Sequence, residues 1–81
     1  MTKPLTIYGK PDCYPCKATL RKAEALGLVY RYVDVTADPE ALAFLQAQGF
    51  GGVPVVMVGD QCWTGFRPDL LAALHQSGET P

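Results

Sequence analysis

Apolar runs of any length, a set of paired cysteines, an excess of either charge and more than one histidine are all missing from this chain of 81 residues. Apolar stretches stay short, as in Val55-Val56-Met57-Val58, where a membrane helix needs roughly 20 such residues. A membrane-embedded chain is thereby excluded. The start, Met1-Thr2-Lys3-Pro4-Leu5-Thr6-Ile7, reaches polar Tyr8-Gly9-Lys10 before a signal-peptide core could form, so no export signal and a cytoplasmic location are expected. Seven Lys and Arg against eight Asp and Glu leave a net charge of −1, which does not suit nucleic-acid binding through a basic surface. Three cysteines are too few, and of the wrong parity, for a secreted disulfide framework.

What is present suits one small globular domain spanning residues 1–81. Apolar residues make up 48% of the chain, and a chain this short buries roughly 60–65% of its unfolded surface. Leu5 to Tyr8, between Pro4 and Gly9, predicts a strand. Gly9-Lys10-Pro11-Asp12 predicts a loop, with Asp12 a candidate helix cap. From Tyr14 to Leu26 the period turns helical: Cys16, Leu20 and Ala23 share one face, Lys17, Arg21 and Glu24 another, and Gly27 is the stop. Val29 to Val35 predicts a second strand.

Asp38-Pro39-Glu40 then opens a helix reaching about Gln48, with a buried stripe of Leu42, Leu45 and Ala41. After Gly49-Phe50-Gly51-Gly52, a loop, Val53 to Val58 and Gln61 to Gly65 pair across Gly59-Asp60, a turn of type II′. A last helix begins near Pro68, carries Leu70, Leu71 and Leu74 inward and frays after Gln76. The order is β-α-β-α-β-β-α. A right-handed crossover makes the first two strands parallel neighbours, and the hairpin adds an antiparallel pair. A mixed four-stranded sheet with helices on both faces follows, an α/β architecture that is the thioredoxin fold.

The chemistry lies at the first strand-to-helix turn, in Cys13-Tyr14-Pro15-Cys16. Cys13 falls at the helix N-terminus, where free N–H groups and the helix dipole favour a thiolate, the nucleophilic form. Cys16, three residues on, is within disulfide reach on a helical turn. Lys17, four residues on, adds a cation on the same side. Pro15 is tolerated in a first turn because its missing N–H costs nothing there. Zinc binding is the competing use of such a pair. It would need Cys62 and His75, which have 12 residues between them, wider than a ligand knuckle allows, and His75 reads as a surface residue. Pro54 sits where a strand should start, although proline cannot donate to a ladder. A cis Val53-Pro54 bond reconciles the two; a trans proline at a strand end is the alternative.

Cys13-Tyr14-Pro15-Cys16 and Val53-Pro54 together resemble the glutaredoxin and thioredoxin superfamily. Trp63-Thr64-Gly65-Phe66-Arg67-Pro68-Asp69 is more specific: it is similar to the Trp-Ser-Gly-Phe-(Arg/Lys)-Pro-Asp segment of the NrdH-redoxins, and the likeness includes Val33-Asp34 and Pro39-Glu40-Ala41. That resemblance implies a thiol–disulfide oxidoreductase, a dithiol carrier with no bound cofactor. Thioredoxin reductase, using NADPH, would recharge it, and it would donate electrons to the large subunit of class Ib ribonucleotide reductase. It implies Cys13 as attacking thiol, Cys16 as resolving thiol and Pro54 as the cis-proline beside them, with Val53, Pro54, Tyr14, Pro15 and the Trp63–Arg67 segment binding the partner.

Two departures point toward a glutathione-dependent glutaredoxin, the alternative reading. The dipeptide Tyr14-Pro15 replaces the Val-Gln or Met-Gln common in NrdH-redoxins, and Lys10 matches a glutaredoxin lysine that pairs with a glutathione carboxylate. Against glutathione, Gly65-Phe66-Arg67-Pro68-Asp69 keeps one glycine and one acid of the glutaredoxin Gly-Gly-x-Asp-Asp segment and places Phe66 and Arg67 between them.

Three features remain. Lys10, Lys17, Arg21 and Lys22 against Asp12 leave residues 10–22 at net +3, which suits either steering of an acidic partner or a solvated helix face. Trp63 and Phe66 suit either a docking rim or cross-strand packing. Cys62 reads as a small apolar strand residue.

Overall fold

The computed structural model describes residues 4–78, with side chains through residue 74. Strand β1 (Leu5–Gly9) buries Leu5, Ile7 and Gly9 on one face and leaves Thr6 and Tyr8 half-buried on the other, as the two-residue repeat of a strand requires. Helix α1 (Tyr14–Ala25) follows, then β2 (Tyr30–Asp34), α2 (Pro39–Ala47), β3 (Val55–Val58), β4 (Gln61–Thr64) and α3 (Pro68–Gly78). The sheet order is β2-β1-β3-β4, with β1 and β2 parallel and the other two pairs antiparallel. This is the thioredoxin fold.

One core cluster gathers Leu5 and Ile7 of β1, Val56 and Val58 of β3, Ala23 of α1 and Leu71 of α3. The opposite face holds Val55, Val35 and Leu45, with Tyr8, Ala41 and Met57 packed around them. Helices α1 and α3 therefore cover one face of the sheet and α2 the other. Among the described residues no helix is long and apolar enough to cross a membrane.

Local chemistry sets the boundaries. Asp38 caps α2 through its carboxylate, which accepts from the Ala41 N–H at 3.1 Å, and Pro39 opens the helix. Gly27 takes φ +69° just past the Leu26 cap of α1, the left-handed stop that glycine supplies. In the hairpin turn Gly59 has φ +56° while Asp60 keeps a negative φ, as type II′ requires.

Four expectations need correction. The cap of α1 is Cys13 and not Asp12; Asp12 sits at φ +57°, a left-handed conformation that aspartate tolerates, and so turns the chain toward the helix. Leu42 is 40% exposed, because only Ala41 and Leu45, one turn apart, reach the sheet. Cys62 is exposed: alternation along β4 sends it to the α2 face of the sheet, where the packing of that helix ends at β3. Helix α3 continues to Gly78, past Gln76. The side chain of His75 lies outside the described ones.

Candidate active site

The register of the sheet places the candidate residues at one end. Tyr8 pairs with Val55, and Val55 pairs with Thr64. The segments that continue from these three positions, Gly9–Cys13, Pro54 and Gly65, therefore leave the sheet at a common edge. The Val53–Pro54 bond is cis and Pro54 is fully buried. The Gly65 N–H donates to the Pro54 carbonyl at 2.9 Å, from a glycine at φ +84°. A side chain at Gly65 would strain that conformation, so the Thr64–Arg67 turn is bound to the proline by a bond that favours glycine.

Cys13 and Cys16 form a disulfide, with Cα atoms 5.2 Å apart. As cap residue, Cys13 presents its Sγ to the Cys16 N–H at 3.3 Å and its carbonyl to the Lys17 N–H at 3.0 Å. A thiolate at Cys13 would thus meet a backbone donor and the positive end of α1, which stabilise negative charge. Cys16 is 1% exposed and Cys13 6%, so Cys13 is the more accessible residue of the pair. Pro15 occupies the first turn. Its carbonyl accepts from the hydroxyl of fully buried Thr19 at 2.8 Å, which fixes the turn carrying both cysteines.

Beneath the disulfide the packing is close. A Cβ added at Gly9 would stand 3.2 Å from Cys16 Sγ, 3.0 Å from the Tyr32 hydroxyl and 2.9 Å from Tyr32 Cε1. Gly9 and Tyr32 therefore belong to the site, and so does Thr19. Sequence reasoning missed them: Gly9 read as a strand terminator, Tyr32 as one aromatic in a strand, and Thr19 as a helix residue. Partial burial of the ring, followed by the nearby Asp34 carboxylate, pushes the Tyr32 hydroxyl above its ordinary value, so this phenol stays neutral at physiological pH.

The other candidates divide into groups. Tyr14, 78% exposed, and Phe66, 38% exposed, both line a groove of about 380 Å³ that also meets Lys17, Arg21 and Lys22. Lys10 and Val53 line a separate cavity of about 290 Å³ with Gln46 and Phe50. Trp63 is half-buried against the α1–α3 core, and its buried Nε1 has no hydrogen-bond partner among the described residues. Thr64 is exposed. Arg67 grips Asp69 through two bonds, Nε to Oδ1 at 3.2 Å and a terminal nitrogen to Oδ2 at 3.0 Å. That pairing lowers the carboxyl value of Asp69 and raises the guanidinium value of Arg67.

The fold and the helix-capping cysteine pair define a thiol–disulfide oxidoreductase whose redox group is the Cys13–Cys16 disulfide. Comparison with known proteins gives the family. The Glutaredoxin family profile matches residues 5–63. The chain is 46% identical over 71 residues to the glutaredoxin-like protein NrdH of Escherichia coli, covering 88% of both chains, and 36% identical over 73 residues to the gene 56 protein of Mycobacterium phage L5, covering 88% of this chain and 71% of that one. The solved structure of the Escherichia coli NrdH-redoxin superposes with a TM-score of 0.86 over 89% of this chain and 95% of that one. A poplar glutaredoxin C1, 20% identical with a TM-score of 0.72, shares the fold. The chain belongs to the glutaredoxin family, among its NrdH-like members.

Proposed function

We propose that this protein is a cytoplasmic dithiol electron carrier, recharged by thioredoxin reductase with NADPH and delivering electrons to class Ib ribonucleotide reductase. In the proposed cycle the Cys13 thiolate attacks a partner disulfide, forming a mixed disulfide and releasing one partner thiolate, which takes up a proton. Cys16 then loses its proton and attacks Cys13 Sγ. The second partner thiol leaves, and the Cys13–Cys16 disulfide remains. Two electrons and two protons pass to the partner. Val53, Pro54, Tyr14, Pro15 and the Thr64–Arg67 turn would hold the partner backbone against Cys13, while Trp63 supports that turn from within the core.

The observation that carries the choice of reductase over glutathione is the Arg67–Asp69 pair. Asp69 is the acid that a glutaredoxin-type site would offer to the glutathione ammonium group, and here its carboxylate is occupied by Arg67. The glutaredoxin-like NrdH-redoxin of Escherichia coli has a thioredoxin-like activity profile, which supports the same side. The second reading, glutathione dependence, is favoured by Lys10, which lines a cavity with Gln46 and Val53 where a carboxylate could pair with its ammonium group.

NADPH consumption with a disulfide substrate separates the two. Turnover with thioredoxin reductase, and none with glutathione plus glutathione reductase, is the result expected. Turnover only with glutathione would make the Lys10 cavity the substrate site.

A further inference from the structure

Beside Cys13, α1 carries a cationic strip that extends beyond Lys17, the one cation the thiol chemistry draws on. Lys17 and Arg21 lie one turn apart on one side of the helix, and Lys22 adjoins Arg21 in sequence. All three line the groove between Tyr14 and Phe66, and no acidic side chain lines it with them. The one acid of α1, Glu24, is turned to the Tyr30 hydroxyl, which donates to it at 2.6 Å. The ion pair recorded among the described residues is Arg67–Asp69, leaving these three cations without a carboxylate.

A chain of net charge −1 has no overall basicity to explain three unpaired cations on one face. The groove starts at Tyr14, the neighbour of Cys13, and its walls are apolar at Tyr14, Phe66 and Ala18. Apolar walls with a cationic flank match a segment that is acidic and carries an aromatic or aliphatic anchor. Like-charged cations with no internal partner act mainly at a distance, by raising the encounter rate of an oppositely charged partner, and salt weakens the effect.

We propose that the α1–Phe66 groove receives an acidic segment adjoining the partner's disulfide, with an apolar side chain between Tyr14 and Phe66 and carboxylates along Lys17, Arg21 and Lys22. This rests on Cys13 as the attacking thiol, but not on the identity of the reductase or of the acceptor. The reaction is the two-electron exchange already written: the protein dithiol is oxidised to the Cys13–Cys16 disulfide, and the partner disulfide is reduced to two thiols.

The test uses the pre-reduced protein and two synthetic peptides in single-turnover kinetics, with no reductase or glutathione present. Each peptide contains one internal disulfide and one adjacent phenylalanine. One is flanked by three aspartates or glutamates, the other by serines and glutamines. Steering of this kind spans about 10- to 1000-fold, and for three surface cations we expect the low end: the acidic peptide reacts about tenfold faster at low salt, and the ratio shrinks toward one at high salt. In Arg21→Glu/Lys22→Glu, or in Arg21→Gln/Lys22→Gln should the first not fold, the ratio falls to one or below. Equal rates with the unaltered protein overturn the proposal. A preference that survives in the double variant places the acid-binding surface elsewhere and overturns it too. Self-association of the protein that these substitutions abolish would assign the groove to a second copy, with the same consequence. Failure with either reductase system leaves this comparison untouched, so the two readings fail separately.

Discussion

At the scale of single residues the two cysteines are made unequal by their places on one helical turn. Cys13 is the cap, with a backbone donor at its sulfur and some solvent access; Cys16 is sealed between Gly9 and the helix. A thiolate attacks fastest where it is both stabilised and reachable, and this asymmetry supports the proposed order, with Cys13 attacking and Cys16 resolving. Cys16→Ser is expected to stop the cycle at a mixed disulfide on Cys13, and Cys13→Ser to abolish turnover. Mass spectrometry under non-reducing conditions detects the trapped adduct. Turnover of a small disulfide by Cys13→Ser would reverse the assignment. Trp63 illustrates another residue-scale point: an aromatic in a docking-like motif spends its surface on the core, so Tyr14 and Phe66 are left as the apolar contacts beside the thiol.

Elements follow local rules that were legible, and depart from expectation where tertiary packing decides. The β-α-β-α-β-β-α order, the cap at Asp38, the stop at Gly27 and the hairpin at Gly59-Asp60 were all written in short stretches of chain, because caps and turns involve neighbours in sequence. The C-x-x-C pair was legible for the same reason, whereas the neighbours of Pro54 suited a cis or a trans bond equally and only the distant C-x-x-C pair favoured the cis form that is found. Gly9, Tyr32 and Thr19 were not. The space at Gly9 is set by a ring from β2 and a sulfur from α1, and no pattern within one element announces such a meeting.

The end of β2 supplies a prediction at this scale. The Asp34 carboxylate accepts from the Thr36 N–H at 2.8 Å and from the Thr36 hydroxyl at 2.6 Å. Bonds from the Thr36 hydroxyl and then from its N–H hold this carboxyl below its ordinary 3.8. A value lowered by folding means stability that is present above pH 3.8 and lost as pH falls through the folded value. Urea midpoints at about pH 7 and about pH 3 should therefore drop further for the unaltered protein than for Asp34→Asn. Equal drops would show that the turn does not respond to this charge.

For the whole molecule the decisive fact is that so short a chain builds two cores, one on each face of a single sheet. Stability of roughly 0.05–0.15 kcal/mol per residue gives about 4–12 kcal/mol in total, so one buried leucine is a large share of it. Leu71 is fully buried at the meeting of α3, α1 and the sheet, and truncating such a leucine to alanine costs about 2–5 kcal/mol through lost transfer energy and the cavity left behind. Leu42, 40% exposed on α2, has no comparable cavity to leave, and truncation there should stay within about 1 kcal/mol. Sequence periodicity placed both leucines in the core; the structure separates them. Urea unfolding of Leu71→Ala and Leu42→Ala decides between the two pictures, read as a shift in midpoint at unchanged slope. A large loss for Leu71→Ala beside a small one for Leu42→Ala is expected. Comparable losses would mean that α2 packs with Leu42 inward, turning the helix and redrawing the cavity that Leu42 shares with Lys10, Gln46 and Val53.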